Sequence, residues 1–79
     1  MNIDHLPVGV RARIVAVDWP RLVPEEAQRL QALGIDPGAT VSVAHRGVFS
    51  GRDPIALTVG RMTIALRRVH AEAIEVEWL

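Results

Sequence analysis

Cysteine is absent, and with it any disulfide framework or thiolate metal site, so this chain of 79 residues must hold its fold by apolar burial alone. Lysine is absent too: all nine cations are arginine, and nine Asp and Glu residues balance them to a formal net charge of zero. That balance argues against a protein whose affinity rests on neutralising phosphates, so no nucleic-acid partner is expected first. Apolar runs never exceed a few residues, and Met1-Asn2-Ile3-Asp4-His5 has neither a basic nor an apolar leader region, which predicts no membrane insertion and a cytoplasmic location. Length excludes a doubly wound nucleotide fold and leaves room for one domain over residues 1–79. What is present suffices to fold: 49% of residues are hydrophobic and only 23% are charged.

The pattern is mostly that of strands. Val10, Ala12, Ile14 and Ala16 share one face opposite Arg11 and Arg13, which predicts a first strand over 10–17. Asp18-Trp19-Pro20-Arg21 breaks it. Pro24 to Leu33 then reads as a helix of about three turns, with proline first and Glu25 and Glu26 at the positive end of its dipole. Gly34 fits the left-handed position after a helix, and Ile35 is placed to touch Leu30, the pattern of a Schellman ending. Asp36-Pro37-Gly38-Ala39 suits a type II turn into a second strand, Thr40 to about His45, followed by a loop from Arg46 to Asp53. Pro54 opens a third strand, and Gly60-Arg61 forms a two-residue II′ turn into a fourth. That register sets Val59 opposite Met62, Leu57 opposite Ile64 and Ile55 opposite Leu66. One helical or 3₁₀ turn between Arg67 and Ala73 leads to a fifth strand carrying Ile74, Val76 and Trp78. The fold class expected is all-β: a small SH3-like barrel of about five strands with one short helix between strands 1 and 2.

Chemistry is hard to find in these residues. The hydroxyls of Thr40, Ser42, Ser50, Thr58 and Thr63 form no nucleophile motif with His5, His45 or His70, and no enzyme is expected. No glycine-rich phosphate cradle occurs, and no histidine pair has ligand spacing, His70 with Glu72 being the nearest approach to one. Neither cofactor nor metal site is therefore expected. The informative stretch is Arg46-Gly47-Val48-Phe49-Ser50-Gly51-Arg52, where the single phenylalanine stands among two glycines and two arginines. As a hairpin tip it would present Val48 and Phe49 inside a cationic rim of Arg46 and Arg52, a partner-binding surface, unless Phe49 folds back as a barrel plug. Trp19 and Leu22 have the same two readings, docking contact or core. Arg11, Arg13, Arg67 and Arg68 read as a solvated face.

Leu6-Pro7 and Gly9 before Arg11-Ala12-Arg13-Ile14-Val15-Ala16-Val17, Arg29-Leu30-Gln31-Ala32-Leu33-Gly34-Ile35 before Pro37-Gly38, Asp53-Pro54-Ile55, Gly60 and Ala65-Leu66-Arg67-Arg68 occur in one order. Together with Val41-Ser42-Val43, Ala71, Ile74 and Val76, they make residues 6–78 resemble the FeoA family, small cytoplasmic proteins that accompany the ferrous-iron transporter FeoB. The segment is also similar to the SH3-like C-terminal domains of iron-dependent repressors. The resemblance implies a non-enzymatic accessory role in ferrous-iron uptake, exerted on the cytosolic region of a FeoB-like transporter. A stand-alone repressor-type regulatory module, a small-barrel nucleic-acid binder and a metal-sensing role are the alternatives. Weak self-association through a strand edge stays open.

Overall fold

The computed structural model describes residues 1–50 and 53–79, and the side chains of all of these except 48–50. β1 (Arg11–Val17) buries Ala12 and Ile14 and exposes Arg11 and Arg13, the alternation its sequence predicts. Ala16, expected on the inner face, is exposed instead. The cause is a bulge against the last strand: register shifts between Ile14 and Ala16, so Val17 takes the inward position and packs on the core.

A 3₁₀ turn at Trp19–Arg21 carries the chain to α1 (Pro24–Ala32). Val23 caps this helix without a side-chain hydrogen bond, so the start is set by Pro24, whose missing N–H would have had no partner in any case. Its end is tightly specified. Gly34 at φ +97° lets the Ile35 N–H donate to the Leu30 carbonyl at 2.9 Å and the Gly34 N–H to the Gln31 carbonyl at 3.0 Å, the two bonds of the Schellman motif. Leu30 and Ile35 are consequently both buried. Gly38, also at φ +97°, completes the turn closed by the Ala39 N–H donating to the Asp36 carbonyl at 3.0 Å.

β2 (Thr40–Ser50) is longer than its sequence suggests. The expected end near His45 and the loop over 46–53 are corrected: β2 continues against β3 (Asp53–Val59), pairing Arg46 with Ile55 and Ser50 with Asp53. Register breaks between Arg46 and Ser50, where Gly47 adopts φ +67°, a conformation that absorbs the irregularity before pairing resumes at Ser50. β4 (Met62–Leu66) pairs with β3 in the register expected, from Val59 opposite Met62 to Ile55 opposite Leu66. Gly60 supplies the positive φ of the connecting turn.

α2 (Arg68–Ala71) then leads to β5 (Ile74–Trp78), which returns beside β1. The antiparallel sheet has the order β4-β3-β2-β1-β5, with α1 between β1 and β2 in the chain. One buried cluster draws on every strand, both helices, and the N-terminal segment, through Ile3 in the 3₁₀ turn Ile3–His5 and Leu6 just after it. At about 1.5–3 kcal/mol for each fully buried aliphatic side chain, this cluster is the main source of stability.

Gly34→Ala is expected to destabilise the chain by about 1–2 kcal/mol in urea unfolding, through backbone strain. The added Cβ would meet Val59 Cγ1 only at an ordinary 3.6 Å. Gly34→Asn should lose less, and equal losses for the two variants would contradict a conformational cause.

Candidate functional site

Of the six residues singled out as partner contacts, the structure turns Leu22 and Arg46 inward and packs Trp19 partly against the core. Leu22 is 7% exposed and belongs to the core, so it is unavailable as a surface contact. Trp19 is half-buried and packs against the same cluster. Arg46 forms no cationic rim. Its side chain is 15% exposed, and Nη2 donates to the Ile3 carbonyl at 3.1 Å and to the Leu6 carbonyl at 2.6 Å. The planar guanidinium fork matches the carbonyls left at the end of the N-terminal turn, which is why an arginine is drawn inward here. The side chains of Val48 and Phe49, and all of Arg52, lie outside the described residues.

Asp4 is the charged residue that sequence reasoning missed. It is 3% exposed, yet its carboxylate lies 3.7 Å from Arg46 Nη1 and accepts from Arg68 Nε at 3.2 Å. Arg68 also donates its backbone N–H to Asp53 Oδ1 at 2.7 Å, satisfying an otherwise open donor at the start of α2. Asp4 thus ties the N-terminal turn to β2 and α2, and Asp53 ties α2 to the start of β3. A single Asp between Ile3 and Leu6 carries no local signal of this, because its partners come from residues 46 and 68.

A second ionic group spans the two helices. Glu26 Oε1 accepts from Arg29 Nε at 2.9 Å, and His70 Nδ1 lies 3.7 Å away. His70 therefore faces Glu26 rather than forming a ligand pair with Glu72. The Arg29 hydrogen bonds hold the Glu26 carboxyl below its ordinary value of 4.5; partial burial opposes them, and the charges of Arg29 and His70 add to the lowering.

Arg13 is matched across the sheet by Glu77 at 2.7 Å, which neutralises part of the outer cationic face. Among the described residues, no group of three or more His, Asp or Glu side chains could hold a metal ion. None of their helices is long and apolar enough to cross a membrane. A cavity of about 410 Å³ between the N-terminus and the β1–β5 edge is lined by both signs of charge, among them Asp18, Arg21, Glu72 and Glu75. It presents no nucleophile beside a base.

Asp4→Ala should cost about 3 kcal/mol in denaturant unfolding, because Arg46 would be left enclosed without its counter-charge, whereas Arg68→Ala, at a half-exposed side chain, should cost distinctly less. Equal small losses would show that the buried carboxylate is not the anchor. For Glu26, a lowered folded pKa means that its contribution is present above the unfolded value and disappears as pH falls through the folded one. Glu26→Gln should therefore be less stable than the parent at neutral pH and converge with it in urea midpoints as pH falls through the lowered folded value. A gap that persists unchanged into acid would contradict the ion-pair account.

Comparison with known proteins places the chain. The FeoA domain profile matches residues 1–77. No curated protein matches the sequence. Among solved structures, iron(II) transport protein A from Clostridium thermocellum superimposes with a TM-score of 0.85 at 30% identity, over 100% of this chain and 46% of that one. This chain therefore spans about half the length of that relative. The FeoA protein from Chlorobium tepidum gives a TM-score of 0.86 at 32% identity, over 100% of this chain and 70% of that one. Stenotrophomonas maltophilia FeoA, complexed with zinc and described as a procaryotic SH3 domain protein, gives 0.81 at 28% identity, over 98% of this chain and 89% of that one. The five-stranded antiparallel architecture is accordingly SH3-like, and with a profile match over nearly its whole length the chain belongs to the FeoA family.

Proposed function

We propose that this chain is a non-enzymatic accessory of ferrous-iron transport that works in the cytoplasm by binding the cytosolic part of a FeoB-type transporter. The observation that carries the reading is family membership over residues 1–77, together with relatives described as an iron(II) transport protein and put forward as a ferrous iron transport activating factor. Two features of the molecule support adhesion over chemistry. Its most enclosed ionic groups among the described residues make internal ties, Asp4 to Arg46 and Arg68, and Glu26 to Arg29. Its hydroxyl and imidazole groups are not assembled into a nucleophile and base among the described residues. With Leu22 and Arg46 turned inward, the candidate contacts that remain are half-buried Trp19 and, in the sequence after Gly47, Val48, Phe49 and Arg52, an aromatic and a cationic residue of the kind that suits a protein partner.

Phe49→Ala is expected to weaken binding to the transporter's soluble cytosolic domain by about 1–2 kcal/mol, with the thermal midpoint nearly unchanged. A large drop in stability at unaltered affinity would assign Phe49 to packing. Absence of binding by the parent chain would remove the transport reading itself.

A further inference from the structure

The two edges of the sheet are treated differently. β5 is covered on its outer side, where the Val76 N–H donates to the Met1 carbonyl at 2.7 Å and Asn2 forms a bridge with Glu75. β4 has β3 as its single ladder partner among the described residues. A two-residue turn makes Val59 and Met62 a hydrogen-bonded pair, and the alternation of an antiparallel ladder then directs the backbone groups of Met62, Ile64 and Leu66 toward β3. The N–H and C=O groups of Thr63 and Ala65 point away from the sheet, and both residues are exposed.

The devices that usually protect such an edge are missing. Met62 to Leu66 contains no charge and no proline, and its register against β3 is unbroken. Met62 is 45% exposed beside the open backbone. Charge is confined to the two ends: Arg61 before the strand and Arg67 after it, both exposed, the latter 3.9 Å from Asp53 and 72% accessible.

From this arrangement we infer that β4 is a docking edge for an extended segment of another protein, about five uncharged residues bracketed by Asp or Glu, which joins the sheet as a sixth strand. A second copy of the chain is a poorer occupant. The antiparallel register that engages all five residues centres on Ile64, setting Thr63 opposite the copy's Ala65 and Arg61 opposite its Arg67. Like charges directly opposed across a strand pair are destabilising, so the charges that attract an acidic segment also discourage self-pairing. The inference goes beyond the transport reading and holds whichever protein supplies the segment, so loss of transporter binding would leave it standing.

The test uses the full chain with the peptide Asp-Thr-Val-Thr-Val-Thr-Asp and its counterpart with lysine at both ends, read by amide hydrogen exchange in NMR spectra. The acidic peptide should slow exchange at Thr63 and Ala65 and bind about tenfold more tightly than the lysine peptide, a preference that the double variant Arg61→Glu, Arg67→Glu should reverse. Thr63→Pro removes an outward N–H without touching the β3–β4 ladder, and should abolish the protection while β3 remains protected. The charge-reversal variant supplies an independent reading should the proline variant unfold. Three results would overturn the inference: no protection of either amide at about 1 mM peptide, protection insensitive to the end charges, or self-association of the parent chain through β4 in sedimentation.

Discussion

Every element of this molecule answers to the need to enclose aliphatic side chains in a chain too short to waste any. Without cysteine, the fold depends on Ile3, Leu6, Ile14, Leu30, Ile35, Val41, Val43, Ile55, Leu57, Leu66, Ile74 and Val76 meeting in one cluster. Strand periodicity supplies most of them, but a sheet of five short strands leaves its ends open. The N-terminal turn contributes Ile3 and Leu6, α1 contributes Leu30, and the segment after it contributes Ile35. The Schellman ending therefore does more than stop a helix: it brings Leu30 and Ile35 into the core side by side.

Charge is subordinate to that enclosure. The buried carboxylate of Asp4 is tolerable because two arginines from distant parts of the chain reach it, and Arg46 simultaneously satisfies carbonyls of the N-terminal segment. An arginine that would read as part of a cationic binding rim is instead a clamp. Helix α2 is held in the same way, through Asp53 at its first N–H and Arg68 on Asp4.

Two stretches of this sheet carry the proposed contacts with other chains. β2, which carries Val48 and Phe49, and β4 both pair with β3, so one sheet supports both. The acidic strand β5 is closed by the N-terminus, while the uncharged strand β4 is framed by arginine. An asymmetry of that kind favours a heterologous partner over a second copy.

Features that depend on neighbours in the chain are legible in the amino-acid order itself. The proline start and glycine end of α1, the Pro37-Gly38 turn and the β3–β4 register follow from local geometry, since φ at glycine and period two in a strand need no distant partner. The bulge that turns Val17 inward in place of Ala16 depends on pairing with β5, at the other end of the chain. The continuation of β2 past His45 likewise requires β3 as a template, without which Gly47 reads as a loop residue. Of the candidate contacts, composition identifies arginine and aromatic residues as the sort that bind partners, but exposure is a property of the packed chain. Only tertiary structure could bury Leu22, draw Arg46 onto Asp4 and leave β4 with β3 as its single ladder partner among the described residues, because each outcome is settled by how groups that sequence separates are packed together.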